Sequence, residues 1–173
     1  MTRQQLAAEV FRVSHRTGTF RLRSGVQSDE YFDKYRFEAS PPLLAAICAA
    51  MVPLIPSETD VLAGLELGGV PIATVLGQLT GLPLAFVRKA AKDYGTCQLA
   101  EGESIAGRHV LVVEDVVTSG GQVIQSSRDL RGLGAIVEHA VCVIDRQSTG
   151  RDALAAANVN LLSLFTYAEL VTP

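Results

Sequence analysis

The sequence predicts an α/β fold, a parallel β-sheet flanked by helices, with a small N-terminal hood. Three observations carry that expectation. Apolar strand candidates alternate with helical segments through the later two thirds of the chain, giving a βαβα order that places helices over a parallel sheet. Those strands lack a polar alternate position, so both of their faces are buried. The first 40 or so residues obey a different, alternating pattern and form a cap over one end of the sheet. The whole chain, residues 1–173, reads as one domain, with residues 1–40 contributing the hood.

Taken in order, Leu6, Val10, Phe11 and Val13 make a helical stripe behind a Thr2 cap. Thr19 to Arg23 and Tyr31 to Phe37 alternate apolar with polar side chains around a turn and predict two short strands. From Pro41 an Ala/Leu/Ile-rich run predicts a helix that ends near Pro53 and Pro56. Strands are then expected at Val61–Leu67, Leu84–Val87, Val110–Val113, Ile136–Ile144 and Val159–Phe165, with helices at Val70–Leu79, Gly121–Leu133 and Arg151–Ala157. Ligands of open parallel sheets sit at the carboxyl ends of the strands, so the loops after Leu67, Val87, Val113 and Ile144 hold the candidate site.

With 15 basic and 18 acidic residues the formal charge is −3, which argues against nucleic acid or an anionic membrane surface as a partner. The apolar run from Leu43 to Pro56 is too short and too proline-broken to span a bilayer. Arg3, Glu9 and Arg12 interrupt the N-terminal stretch, which lacks the apolar core of a secretory signal. Cys48, Cys97 and Cys142 are odd in number and widely spaced, and so are His15, His109 and His139. Neither a disulfide framework nor a protein-ligated zinc site is expected, and the chain reads as cytoplasmic.

The most informative stretch is VLVVEDVVTSGGQV, residues 110–123. A buried strand delivers Glu114 and Asp115, and Thr118-Ser119-Gly120-Gly121 then opens a helix. Hydroxyls and backbone N–H groups at a helix N-terminus cradle an anion, while the acids accept hydrogen bonds from vicinal hydroxyls or reach a hydrated cation. That combination suits a sugar phosphate. An acidic pair alone would be an ordinary strand end, and Ser119 alone an ordinary cap. The complete order resembles the phosphoribosyl-diphosphate signature of type I phosphoribosyltransferases.

Two further segments have the chemistry to meet a diphosphate. FVRKAAKDYGTCQLAEG, residues 86–102, sets Arg88, Lys89 and Lys92 behind a strand in a segment longer than most loops, which reads as a lid; a solvated charged loop is the plain alternative. GLELGGVPIA, residues 64–73, runs through Gly68-Gly69 into a helix, so backbone could approach a ligand closely, and an ordinary β-to-α turn explains it equally well. Glu66 fits beside a diphosphate only if it faces a metal-bound water.

FRLRSGVQSDEYFD at residues 20–33 and IDR at residues 144–146 complete the pattern. Together with the three segments above, they resemble orotate phosphoribosyltransferases, with all five elements in the family's order between residues 20 and 146. The resemblance implies that Glu114 and Asp115 meet the ribose. It assigns Thr118, Ser119, Gly120 and Gly121 to the 5′-phosphate, and Arg88, Lys89, Lys92, Tyr94, Gly68 and Gly69 to the diphosphate. Arg23, Tyr31, Phe32, Thr118 and Arg146 are assigned to orotate. Lys92 and Asp115 are the expected catalytic groups. Mg2+ is the expected cofactor, with no direct protein ligand and Asp115 reaching it through water. A homodimer is implied, with lid residues shared across the interface. Arg146 offers the bidentate charged fork that an anionic base requires. Three positions depart from the family pattern: Arg23 replaces a hood lysine, Tyr94 a lid histidine, and Gly68 a lysine carried by some members. A transferase for another base, or a non-catalytic sensor of phosphoribosyl diphosphate, is the alternative reading.

Overall fold

Thr2 starts the first helix, α1 (Arg3–Ser14), with a reciprocal capping box: its hydroxyl accepts from Gln5 N at 3.2 Å while its own N–H donates to Gln5 Oε1 at 2.9 Å. Leu6, Ala7 and Val10 face inward, as the stripe requires. The computed structural model describes residues 1–21, 25, 27–90, 99–146 and 148–171. Among these, an antiparallel hairpin follows α1, formed by β1 (His15–Arg21) and β2 (Gln27–Phe32), with His15 opposite Phe32.

The second hood strand ends sooner than the sequence pattern predicts. Beyond Phe32 the chain makes a turn of helix, α2 (Tyr35–Glu38), where alternation predicted strand through Phe37. The helical turn carries Phe37 fully into the core beside α1 and α3 (Pro41–Met51). A continued hairpin would have kept it above the sheet. Prolines at the first two positions start α3, and a 3₁₀ turn at Val52–Leu54 ends it.

The central sheet has the order β5-β4-β3-β6-β7-β8, from β3 (Val61–Leu65), β4 (Leu84–Val87), β5 (Ala100–Gly102), β6 (Val110–Val117), β7 (His139–Asp145) and β8 (Asn160–Thr166). All pairings are parallel except that of β5 with β4. The antiparallel edge strand β5 was not expected; its three residues, Ala-Glu-Gly, carry no apolar run to announce it. β6 runs four residues past the expected Val113, so both acids lie inside the strand rather than beyond it.

Side chains of β6 partition by alternation even though all are apolar at its start. Leu111 and Val113 face a core shared with α1, α3 and α4 (Gly69–Thr80); Val110 and Val112 face one shared with α5 (Gly121–Gly132) and α6 (Ser148–Ala156). A last short helix, α7 (Tyr167–Val171), packs on α1. The hood, β1 through α2, thus reaches the carboxyl ends of β6 and β8, where Lys34 meets Asp115 and Phe32 meets Tyr167.

Candidate active site

Asp115 lies near the carboxyl end of β6 with no solvent exposure, and its Oδ2 is 2.6 Å from Lys34 Nζ. Lys34 stands just before α2, and Glu38, four positions later, shares its side of that turn and its carboxyl feels the charge of Asp115. Glu114 is also buried, and its Oε1 accepts from Asp115 N at 3.0 Å. One ammonium therefore serves three acids.

The protonation pattern follows from that count. Burial, a hydrogen bond to Asp115 and the Asp115 charge push the Glu38 carboxyl up to about 9. Burial and the Asp115 charge likewise push Glu114 up to about 8. Burial disfavours the Lys34 charge, but the hydrogen bond and charge of Asp115, with the Glu114 charge, outweigh it and raise the Lys34 pKa. At neutral pH Glu38 and Glu114 hold protons, and the cluster presents one ion pair and a set of hydrogen-bonding carboxyls.

Gly68 and Gly69 come to this acidic end from the β3–α4 turn. A Cβ on Gly68 would land on Asp115 Oδ2, and one on Gly69 on Val113 O. The two glycines are needed first for packing of turn against strand, which gives the ordinary β-to-α turn its physical reason. Glu66 is exposed in the same turn, and its Oε2 accepts from Lys89 N at 3.2 Å.

Downstream of β6, Thr118 and Ser119 are exposed, Gly120 adopts φ +76°, and α5 begins at Gly121. A cavity of about 140 Å³ opens there, bounded by Glu114, Thr118, Ser119, Gly120 and Gly121. The first-turn N–H groups of α5 lack intrahelical partners by construction, and with the two hydroxyls they form an anion cradle at the positive end of a helix.

Arg88 follows β4, and its Nε stands 4.0 Å from Glu101 on β5. Lys89 is exposed. Lys92 and Tyr94 lie outside the described residues, as does Arg23 of the hood. Of the hood aromatics, Phe32 is buried, whereas Tyr31 is exposed and rests on Phe20, ring centroids 5.4 Å apart. Alternation along β2 sends the two to opposite sides.

At the end of β7, Arg146 N donates to Val117 O at 2.9 Å, which sets Arg146 beside Thr118. Its guanidinium lies 4.9 Å from the centroid of the Tyr167 ring. Asp145 is buried and accepts from Arg151 Nε and Nη2 at 3.1 and 2.9 Å, tying the strand end to α6. The acid pair, the cradle, Gly68, Gly69, Arg88 and Arg146 therefore gather at one end of the sheet, with Phe32 above them.

Comparison with known proteins agrees with this geometry. The phosphoribosyl transferase domain matches residues 36–160. The chain is 53% identical over 165 residues to the orotate phosphoribosyltransferase of a Nocardioides species, covering 95% of this chain and 92% of that protein. This chain belongs to the orotate phosphoribosyltransferase family. A crystal structure of the Mycobacterium tuberculosis family member with inorganic phosphate has a TM-score of 0.86 at 30% identity, covering 98% of each chain. The structure of the same family member with 5-phospho-α-D-ribosyl 1-diphosphate has a TM-score of 0.83 at 29% identity, again over 98% of each chain.

Lys34, Glu38, Glu101, Arg151 and Tyr167 escaped the sequence reading. For Lys34 and Glu38 the i, i+4 spacing was a usable signal, hidden by the strand assigned to Tyr31–Phe37. Nothing local marks the other three, which reach the site through tertiary packing.

Proposed function

We propose that the chain transfers the phosphoribosyl group of phosphoribosyl diphosphate to orotate, releasing diphosphate and orotidine 5′-monophosphate in pyrimidine biosynthesis. The convergence of a buried acid pair, a helix-terminal anion cradle and an exposed Arg146 at one sheet end, in a chain of this family, carries the reading. Thr118 through Gly121 bind the 5′-phosphate. Asp115 and Glu114 take the ribose hydroxyls, and Arg88, Lys89, Lys92 and Tyr94 serve the diphosphate with the backbone at Gly68 and Gly69. Arg146 pairs with the carboxylate of orotate, with Thr118 beside it, and Arg23, Tyr31 and Phe32 are the hood residues proposed for the base.

In the reaction a ring nitrogen of orotate bonds to ribose C1 as the C1–O bond to diphosphate breaks; that electron pair leaves with the diphosphate, and the proton of the nitrogen passes to the departing diphosphate or to water. Positive charge develops on the ribose, so the protein's work is to orient both partners and to stabilise the leaving group with fixed cations. No side chain acts as a nucleophile. The buried Asp115 carboxylate, with the Glu114 carboxyl beside it as a hydrogen-bonding oxygen donor, suits a Mg2+ ion that keeps most of its waters. Mg2+ on the diphosphate would neutralise leaving-group charge, and Asp115 would meet it through water.

We also infer a homodimer whose lid cations reach the neighbouring site, working in the cytoplasm; no helix among the described residues is long and apolar enough to cross a membrane. Mixing Lys92→Ala chains with Asp115→Asn chains should restore part of the activity lost by each, and no recovery after verified subunit exchange would confine the lid to its own chain. Orotate consumption with Mg2+ and phosphoribosyl diphosphate, assayed beside uracil and hypoxanthine, tests the function itself. Preference for either competitor would refute orotate as the substrate.

A further inference from the structure

Arg146 is exposed, and among the described residues no carboxylate pairs with it. Its side chain is nevertheless placed, because the guanidinium lies over the Tyr167 ring with Cζ 4.9 Å from the centroid. A ring engages a guanidinium through its face, and the guanidinium carries five N–H donors, more than one ring contact can occupy, so donors remain for a ligand.

The ring itself is held from two sides. Tyr167 meets Phe32, the last residue of the hood hairpin, edge to face with centroids 6.0 Å apart. It also opens α7, whose start is fixed by Glu169: Oε2 accepts from Thr166 N at 2.7 Å and from Thr166 Oγ1 at 2.9 Å. Glu169 Oε1 accepts from Arg3 Nη1 at 2.7 Å, and Arg3 Nη2 donates to Leu164 O at 2.6 Å. The arginine beside Glu169 holds its carboxyl down at about 2, so this clamp stays charged across the range in which an enzyme is assayed. Hood and strand end meet at one aromatic ring through Phe32 and Arg146, and Arg3 of the first helix anchors the helix that carries it.

We infer that Tyr167 is a positioning residue for base selection: its ring holds the Arg146 guanidinium at the end of β7, ready to meet the carboxylate of the incoming base. The inference rests on the proposed pairing of Arg146 with orotate. An unsupported arginine on the rim would sample many rotamers and lose that freedom on each binding event. The stacked one is ordered before the base arrives.

The test is steady-state kinetics on Tyr167→Leu, Tyr167→Phe, Arg146→Ala and the Leu/Ala double variant, with orotate and uracil. Removing the ring should raise the KM for orotate roughly 2- to 30-fold, the range of a cation–π contact. kcat and the KM for phosphoribosyl diphosphate should stay within about twofold, and Tyr167→Phe should match the parent because it keeps the ring. The double variant should be no worse than Arg146→Ala alone. Tyr167→Met, which fills similar volume without a π-face, replaces the leucine variant if that one fails to fold. An unchanged orotate KM, or independent effects that multiply in the double variant, overturns the positioning role while a collapsed orotate-to-uracil ratio in Arg146→Ala upholds the base assignment. An unchanged ratio in Arg146→Ala overturns both.

Discussion

At Asp115 the cleft is built from buried side chains; three residues further along, from Thr118 to Gly121, it is built largely from backbone. The first region packs the buried Glu114 and Asp115 against the half-buried Glu38 and Lys34, and burial together with the Asp115 charge favours protonated Glu38 and Glu114. The second exposes two hydroxyls and the N-terminus of α5 around a turn whose Gly120 has φ +76°. Both regions present polar groups to a ligand, but they fail in different ways. A buried charged cluster responds to any change of charge, shape or pH. A backbone cradle responds to conformation and little to the loss of one side chain.

The largest expected effect tests how tightly the acidic region is packed. Gly68→Ala would set its Cβ on Asp115 Oδ2, and the short, fully buried Asp115 has nowhere to go except away from Lys34 and the ribose position. With Asp115 on the ribose as proposed, its displacement should lower kcat/KM about 100-fold or more. Gly69→Ala instead meets backbone, Val113 O, so its effect should fall on the fold, lowering Tm by roughly 3 to 10 °C. Equal activity in Gly68→Ala and the parent would mean that Asp115 is free to move and the cluster is not rigid.

Asp115→Asn comes next. The amide keeps the shape but removes the charge that pairs with Lys34, and one acceptor becomes a donor. Replacing a charged acceptor costs about 1.5 to 3 kcal/mol, so kcat/KM for phosphoribosyl diphosphate should fall roughly 10- to 150-fold. Parent-like kinetics would remove Asp115 from the ribose site.

The turn proposed to cradle phosphate was legible in the sequence because strand, loop and helix that form it are contiguous from Val110 to Val123, and the buried parallel strands were legible because both their faces are apolar. The acidic region was half legible. Glu114 and Asp115 announce themselves, but their counter-ion Lys34 comes from the hood, distant in the chain, and is aimed by a turn of helix that the Tyr31–Phe37 alternation disguised as strand. Tyr167 was invisible for the same reason: its partners Phe32 and Arg146 come from opposite ends of the sequence, and only the closed fold makes them neighbours. Contacts that depend on tertiary approach leave no local period or spacing to read.

A smaller effect separates the regions by pH. Glu38 and Glu114 titrate near 9 and 8 in the folded chain, against 4.5 as their ordinary value. From about pH 4.5 upward the unfolded chain releases these protons while the folded chain retains them, so ν_U − ν_N is negative and stability falls with rising pH. The contribution is fully present below 4.5 and lost as pH passes through 8 to 9. The ligand-free protein should therefore melt at a lower temperature at pH 9.5 than at pH 6. Glu38→Gln, which cannot titrate, should flatten that slope without altering the phosphate cradle. A slope unchanged in Glu38→Gln would place the titrating group elsewhere.

The smallest expected effect belongs to the backbone-built region. Ser119 is exposed, and its hydroxyl is one donor beside the first-turn N–H groups of α5. Removing a neutral hydrogen bond costs about 0.5 to 1.5 kcal/mol, so Ser119→Ala should raise the KM for phosphoribosyl diphosphate roughly 2- to 13-fold and leave the orotate-to-uracil ratio alone. The preference follows from what remains: the helix end and its partial positive charge survive the substitution because the main chain supplies them. Stability should be nearly unchanged, since Ser119 makes no capping bond to α5 and Gly120 holds the N-cap position. A loss as large as that of Asp115→Asn would mean that the cradle depends on its hydroxyl as the acidic region depends on its carboxylate, and the contrast between a side-chain site and a backbone site would fail.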